Sequence, residues 1–444
     1  MHKTMNAKYQ INEHIIHRII KNKLFIFNEI TSDMFCLSDD VILFWKIMQG
    51  EFSEKDILKR SRKDNFFVNK DLIHSFFDFL KSKNIIEPII CNKNYKPTHK
   101  EANTQTTELW KFVYEHTKEF FPVTIVWEIT YKCNQKCIHC YENCSLNKTI
   151  NDLDTETIKR ILNDLHDSGC FMLYITGGEP FVRKDIFEIL SYAKQLNFSI
   201  VLLTNASLLS DEEIDFIHKI GIIQVRITLF SLNGEIHDKI TNCRGSFEIT
   251  YSNILKLVEK GISVRLNVPI TKYNFNGYRD VIAFAQNNGC EYKISPSLHP
   301  KDDGDRSPLS LKISEQEYKE ILKNPLANMS DEYANSTEKG ENVFCKVVFG
   351  ELALSPSGQV FPCNSFKYEL GNVTKQSVMD IWQNSDVLLK LRSVKIKDSE
   401  ECGNCKLLSW CFPCPASAWA ENHTLYGKST ENCYNARMQH QVMQ

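Results

Sequence analysis

The chain has 444 residues, 42% of them apolar and 24% charged, with a formal net charge of -2. That length exceeds one ordinary domain, and the composition supplies enough apolar side chains for sizeable cores. The charge offers no global attraction to nucleic acid or anionic membrane, no run of about 18 apolar residues occurs, and the start MHKTMNAKYQ lacks a signal-peptide core. The expectation is a cytoplasmic protein with no nucleic-acid and no membrane partner.

Residues 1–95 open with the strand-like IFNEITSDMFCLS and continue with helical stretches VILFWKIMQG, SEKDILKRS and KDLIHSFFDFLKSKNII. In the last, Leu72, Ile73, Phe76, Phe77, Phe79 and Leu80 form one apolar face at helical spacing. The basic run KRSRK at 59–63 reads as a solvated face, and without a concentrated basic recognition helix this region is a poor DNA reader. Residues 96–122 read as a polar linker followed by one amphipathic segment.

Residues 123–300 alternate strands with helices. VTIVWEIT, FMLYIT, FSIVLLT, IIQVRITLF, ISVRLNVPI and YKISPS read as buried strands, and the helices between them mostly stop at Gly or Asn. Continuous apolar strands alternating with helices predict an α/β fold with a parallel sheet. The unit count suggests a partial (β/α)6 TIM barrel, whose active face is the C-terminal end of its strands. Residues 301–340 read as a bridging segment. Residues 341–444 show few periodic elements, so metal rather than apolar burial is expected to hold them.

Sixteen cysteines need a reason in a reducing compartment, where clustered thiols bind metal or do redox chemistry. Cys36, Cys91, Cys170, Cys243 and Cys290 are scattered and read as ordinary buried thiols. Cys133, Cys137 and Cys140 follow directly on VTIVWEIT, in the top loop of the first barrel strand. Thiolates are the usual iron–sulfur ligands, and three of them leave one iron of a 4Fe–4S cluster open to a cofactor or substrate. Zinc is the competing reading, because Cys144 could supply a fourth ligand. Gly177-Gly178-Glu179-Pro180 follows FMLYIT at the same barrel end. Glycine lets backbone approach a ligand closely, and a carboxylate accepts from an ammonium group.

The CxxxCxxC spacing with an aromatic, His139, before its last cysteine, followed by Gly177-Gly178-Glu179-Pro180, resembles the radical S-adenosylmethionine superfamily. The resemblance implies that the methionine amine and carboxylate chelate the open iron. Reductive cleavage of the sulfonium then yields a 5′-deoxyadenosyl radical that abstracts a substrate hydrogen. It also implies cofactor contacts from His139, Gly177, Gly178, Glu179 and Pro180, and from Asn205 and Thr228 at later strand ends. Many relatives carry an Asp where this chain has Phe230, so no catalytic residue beyond the cluster ligands is assigned. The run from Glu235 through His237, Asp238, Arg244, Gly245 and Ser246 to Phe247 resembles the stretch after the fourth strand in peptide-modifying members.

The remaining cysteines are Cys345, Cys363, Cys402, Cys405, Cys411, Cys414 and Cys433. Their spacing is C-x17-C, then C-x2-C-x5-C-x2-C-x18-C, with Gly358 five residues before Cys363. This resembles the SPASM extension of radical enzymes, with two zinc sites as the competing reading. The resemblance implies two auxiliary 4Fe–4S clusters, making three in all. Cys402, Cys405, Cys411 and Cys433 would hold the outer one, and Cys345, Cys363 and Cys414 the inner one. The fullest family pattern has a further cysteine between the first two, which this chain lacks, so the inner cluster has an open iron or a ligand from elsewhere.

The first 95 residues, through Phe35-Cys36-Leu37-Ser38, Met48-Gln49-Gly50, the helix from Glu54 to Lys59 and Phe79-Leu80 with Ile85-Ile86, resemble the winged-helix-like α+β leader-recognition domain of ribosomal-peptide maturation. In that family the leader adds as a strand to the hairpin edge. The whole therefore resembles a maturase of a ribosomally made precursor peptide, supplied with electrons by a flavodoxin- or ferredoxin-type donor. A cysteine thioether crosslink is the expected product. The alternatives are a carbon–carbon crosslink, formylglycine formation as in anaerobic sulfatase maturases, and a non-enzymatic, zinc-stabilised peptide-binding protein.

Overall fold

The structure is a computed structural model that describes residues 7–48, 50–63, 70–89, 106–142, 151–301, 304–327 and 339–443. Gln49, Cys91 and Cys144 lie outside the described residues. The chain divides into two compact units, 1–120 and 121–444.

The first unit comprises β1 (Tyr9–Ile11), β2 (Ile15–Ile20), β3 (Lys23–Asn28), β4 (Met34–Leu37), α1 (Ile42–Ile47), α2 (Glu54–Lys63), α3 (Lys70–Ser82), β5 (Ile86–Pro88) and α4 (Thr106–Thr117). β2, β3 and β4 form an antiparallel sheet in that order, and β1 pairs with β5. The β2–β3 turn is Lys21-Asn22, both left-handed at φ 50 and 56, which suits a tight hairpin's twist. Alternation along β3 sends Leu24 and Ile26 into a core with Trp45, Ile57, Phe77 and Leu80. The α3 face is apolar as expected, except that Leu72 is 42% exposed. The KRSRK run is not wholly solvated, because Ser61 is buried and donates to Ile57 O at 2.6 Å. On the opposite sheet face, Phe112 of α4 meets Phe25 edge-on at 6.1 Å, and Lys23 Nζ donates to His116 O at 2.6 Å. The segment expected to link two domains therefore carries a helix belonging to this unit, which ends at residue 120 rather than 95.

The second unit contains the barrel. Its strands are β6 (Thr124–Glu128), β7 (Met172–Thr176), β8 (Ser199–Thr204), β9 (Gln224–Thr228), β10 (Val264–Pro269) and β11 (Glu291–Ser295). They lie side by side in chain order, all parallel, as an open sheet. The intervening helices are α5 (Thr155–Asp167), α6 (Ile186–Gln195), α7 (Asp211–Lys219), α8 (Gly234–Thr241), α9 (Ser246–Glu259) and α10 (Tyr278–Asn287). Local chemistry explains their ends. Asp154 caps α5 by accepting from Thr157 N at 2.8 Å, and α7 starts in a capping box between Ser210 and Glu213. α8 occupies a segment in which the sequence shows a motif but no periodic helix.

The cysteine-rich segment does not stand apart from this sheet. β12 (Glu351–Leu354) pairs in parallel with β6, and β13 (Gln359–Phe361) and β14 (Gly371–Asn372) follow antiparallel, giving nine strands in all. The β12–β13 turn is made at Gly358, whose φ of +82 disfavours a side chain. The remaining helices are α11 (Glu315–Lys323), α12 (Val378–Asn384), α13 (Asp386–Ser393), α14 (Pro415–Asn422) and α15 (Thr430–Met443). α11 lies in the expected bridging segment and meets α15 through Tyr318 and Tyr434, rings 5.7 Å apart.

Candidate active site

The loop carrying Cys133, Cys137 and Cys140 leaves β6 at the C-terminal end of the sheet, and the Gly177-Gly178-Glu179-Pro180 loop leaves β7 beside it. The two loops are joined through backbone. Gly178 N donates to Thr130 O at 2.7 Å, and Glu179 N donates to Lys132 O at 2.9 Å. A Cβ on Gly177 would stand 2.1 Å from Thr130 O, and one on Gly178 would stand 2.2 Å from Lys132 O. The close approach that demands glycine here is therefore to the cysteine loop itself. Pro180 is buried and opens a short 3-10 turn.

Glu179 is fully buried and accepts three hydrogen bonds, from Thr204 Oγ1 at 2.8 Å, Asn205 N at 2.7 Å and Phe181 N at 3.2 Å. Burial outweighs those donors and pushes its carboxyl up to about 7. Asn205 in turn reaches the cysteine loop, with Nδ2 2.9 Å from Asn134 Oδ1 and 4.0 Å from Cys133 Sγ. Asn134 donates onward to Ser207 Oγ at 2.8 Å. The ends of β6, β7 and β8 are thus one hydrogen-bonded assembly.

His139 lies edge-on to Phe230 at 4.8 Å, burial lowers its pKa to about 4, and its buried Nδ1 has no hydrogen-bond partner among the described residues. Phe230, 1% exposed, also meets His237 at 5.6 Å, so an aromatic trio packs just beyond the end of β9. Thr228 is the half-buried last residue of β9, and its side chain makes no hydrogen bond to the other site residues among the described residues.

Cys133, Cys137 and Cys140 are half-buried and form no disulfide among the described residues. Burial pushes Cys133 up to about 11, and Cys137 is raised further by burial and by Cys140 and Cys133 beside it. Such thiols need a cation to become thiolates, which is what an iron–sulfur cluster supplies. The donor set and the orphaned His139 nitrogen fit a cluster with a nucleoside-bearing cofactor beside it. Cys243, expected to be an ordinary thiol, is also within electrostatic reach of Cys137.

Two charged groups invisible to motif reading brace this end of the sheet. Lys367, from the cysteine-rich segment, contacts Glu128 at 2.8 Å and Glu142 at 3.0 Å. Tyr131 donates to the same Glu128 at 2.8 Å. Arg183 holds Asp185 through two bonds and donates to Ile129 O at 3.1 Å and Leu153 O at 3.0 Å. Except for Asp185, their partners lie far away in sequence, so no spacing announces them.

The second cysteine set separates into two groups. Cys345, Cys363 and Cys414 lie within electrostatic reach of one another, and Glu351 joins them. Burial raises both Cys345 and Cys363, and pushes the Glu351 carboxyl up to about 7. Cys402, Cys405 and Cys433 form the other group, and Cys411 Sγ lies 3.9 Å from the carbonyl of Asn432, next to Cys433. Among the described residues no three His, Cys, Asp or Glu side chains converge on one metal ion. Zinc draws its sulfurs to about 2.3 Å of a single ion, whereas cluster thiolates each bind a different iron.

Comparison with known proteins decides the family. Residues 127–285 match the radical SAM superfamily, and residues 345–406 match the SPASM iron–sulfur cluster-binding domain. The chain belongs to the radical SAM enzymes with a SPASM domain. The radical SAM match covers β6 to α10 and the SPASM match begins at Cys345. Among relatives, an AdoMet-dependent heme synthase of Methanosarcina barkeri is 27% identical over 67% of this chain and 93% of its own. The antilisterial bacteriocin subtilosin biosynthesis protein AlbA of Bacillus subtilis is 28% identical over 70% of this chain and 73% of its own. In fold, this radical SAM enzyme resembles Streptococcus suis SuiB bound to precursor peptide SuiA, with TM-score 0.61 at 16% identity over 96% of this chain and 99% of that one. No helix among the described residues is long and apolar enough to cross a membrane.

Proposed function

We propose that this radical SAM enzyme matures a ribosomally synthesised peptide by closing a cysteine sulfur onto a carbon of the core peptide. The observation that carries the reading is the inner group of Cys345, Cys363 and Cys414, which holds three thiols among the described residues. An iron not closed by protein thiolate is a place where a substrate cysteine can be received. The likeness to the subtilosin biosynthesis protein supports the same product class.

Cys133, Cys137 and Cys140 would hold the radical-initiating cluster. His139, Gly177, Gly178, Glu179, Pro180, Asn205 and Thr228 would frame its cofactor. When bound, cluster and S-adenosylmethionine supply the hydrogen-abstracting radical. The chain's own part is positional. Glu179 ties the strand ends through Thr204 and Asn205, Asn205 orients Asn134, and Phe230 with His139 gives the pocket an apolar wall. Cys402, Cys405, Cys411 and Cys433 would hold the outer auxiliary cluster. Thioether closure removes two hydrogens from the peptide, one as the abstracted atom and one as a proton and an electron, so an electron acceptor is required. The two auxiliary clusters would provide it, and a flavodoxin- or ferredoxin-type donor would reduce the initiating cluster.

The leader would bind the first unit along β4, an edge strand of the β2-β3-β4 sheet, beside α3, where Phe79 meets Phe35 edge-on at 5.5 Å. A cytoplasmic site of action follows from the expected reductant. The heme synthase likeness favours a second reading, oxidation of a tetrapyrrole, which leaves that sheet edge without a role. Incubating the reduced enzyme and S-adenosylmethionine with a cysteine-containing peptide encoded beside the gene tests the first reading. The expected result is a mass loss of about two hydrogens per crosslink, since each closure removes two hydrogens from the peptide. An unchanged peptide mass while S-adenosylmethionine is cleaved would overturn it.

A further inference from the structure

The barrel sheet has two faces of different character, and the inner one is polar. Strands β6 to β11 follow one another in chain order, so right-handed crossovers set the intervening helices on a single face. That face is apolar and closed, with Val225, Ile227, Leu266 and Val268 fully buried. Side chains alternate along a strand, so Arg226 and Thr228 of β9 and Arg265 and Asn267 of β10 point to the inside, and all four are half-buried. The ladder sets Arg226 beside Arg265 and Thr228 beside Asn267.

Arg226 is held on one side only. Its Nε donates to Gln224 Oε1 at 2.8 Å, and its guanidinium lies over the Tyr174 ring at 4.9 Å. Gln224 and Tyr174 are buried, as is Val201 between them in the ladder, so the inner face is closed beneath the guanidinium. A cation stacked on an aromatic ring and anchored through one nitrogen keeps a fixed direction, and its two terminal nitrogens are left to donate. Among the described residues those nitrogens meet no acceptor, and Arg226 makes no ion pair. The acids of this face are placed elsewhere. Glu128 is held by Lys367 and Tyr131, and Glu291 stands on the far side of Arg265 from Arg226. A half-buried guanidinium gains most from an anion that offsets its lost hydration. Its planar fork matches a carboxylate through two parallel hydrogen bonds.

We infer that Arg226, with Arg265 beside it, forms a carboxylate-binding subsite inside the barrel, which receives an acidic side chain or the terminal carboxylate of the substrate. Thr228, at the level proposed for the cofactor, lies two residues nearer the strand ends, so the subsite sits about 7 Å deeper along the strand. A substrate carboxylate seated there fixes which neighbouring C–H is presented to the radical. That the substrate is a peptide rests on the proposed function, whereas the subsite itself does not.

Two experiments separate the subsite from the peptide reading. In the first, oxidised holoenzyme labelled with 13Cζ-arginine is titrated with N-acetylglutamate α-amide and with N-acetylglutamine α-amide, and the Arg226 signal is identified by its loss in Arg226→Lys. A saturable shift with the acid and none with the amide is expected. No shift with the acid, or an equal shift with both, overturns the subsite. In the second, the cysteine-containing peptide encoded beside the gene receives one Asp→Asn or Glu→Gln exchange at a time, or a C-terminal amide. One of these changes should lower kcat/KM about tenfold or more, and which one does so tells a side-chain source from a terminal one. With Arg226→Gln the parent peptide should fall to that level, and the exchange should cost nothing further. Arg226→Lys keeps the charge and should keep the preference for the parent peptide, so a Gln variant that fails to fold does not decide the outcome. Peptides all modified at the parent rate overturn the inference. A peptide left unmodified by a holoenzyme that does show the acid-specific shift keeps the subsite and overturns the peptide reading.

Discussion

The barrel and the outer cysteine loop are built on opposite principles within one unit. β6, β7 and β8 are buried nearly throughout, on Ile125, Trp127, Leu173, Ile175, Ile200 and Leu202. Around the outer cysteines the buried cluster is Phe344, Ile396 and Cys402, with Val394, Leu408 and Tyr426 half-covered, and Cys405 is exposed. At about 25 cal/mol for each Å² buried, the first core can order its own backbone and the second cannot. The barrel is thus a preformed scaffold beneath the Cys133 loop, whereas the outer loop is expected to need a bound group to become ordered.

Replacing the outer cysteines is the largest way to break that contrast. Cys402→Ala with Cys405→Ala should release about four irons. Hydrogen exchange should lose its protection across residues 399–433 while β6 to β8 keep theirs. Retained protection in the loop would show that its small core suffices, and the contrast would fall.

Lys367 marks where the two regions are locked together. Its side chain reaches from the cysteine-rich segment to Glu128 and Glu142, which are 2% and 6% exposed. Lys367→Met leaves two buried carboxylates without their cation, which costs about 3–5 kcal/mol, read as a lower urea midpoint of the anaerobic holoenzyme. Lys367→Arg should recover much of the loss. A Met variant as stable as the parent would mean that the carboxylates find other partners and that the regions are joined by the β6–β12 ladder alone.

Gly178→Ala tests the graft from the barrel side. The added Cβ would meet Lys132 O at 2.2 Å, and backbone rather than a flexible side chain must move. The expected cost is about 2–3 kcal/mol, accompanied by loss of iron from the Cys133 loop but not from the auxiliary sites. Equal iron loss from all sites would show instead that the variant misfolds globally.

What was legible in the sequence was local. Apolar runs, helix stops and short cysteine spacings lie within a few turns of chain, and so the strands from Thr124 to Ser295 and the cysteine groups could be read directly. What was not legible depends on tertiary pairing. β12 to β14 are too short to show a period, and only β6 beside them makes β12 a sheet strand. β2 was hidden because its hairpin turns on Lys21-Asn22 rather than on a glycine pair. Helix α4 was legible only as an amphipathic segment after a linker, since its packing partner is Phe25, far back in the chain. Lys367 carries no motif at all, and only the folded chain brings it to Glu128 and Glu142.

The smallest effect lies inside the barrel and asks whether its scaffold is independent of iron. Asp238 of α8 accepts from Phe247 N at 2.9 Å and Ser246 Oγ at 2.9 Å, and also from Gly245 N, fastening the start of α9. Burial opposes its ionisation, but these donors outweigh burial and hold its carboxyl below the usual value. A folded-state pKa lower than the unfolded one means that the stabilisation is complete above the ordinary carboxylate range. It is lost as pH falls through the depressed value, where the folded carboxylate at last takes up a proton. Asp238→Asn should therefore cost about 1 kcal/mol at pH 7, with parent and variant converging at acid pH. The comparison is made on urea midpoints of metal-free chains, so that acid release of iron does not intrude. A metal-free barrel that shows a cooperative transition and this convergence has a scaffold held by apolar burial. A constant difference across pH would mean that the shape of Asp238, and not its charge, holds α9. A chain with no transition would mean that the barrel, like the outer loop, needs its clusters to fold.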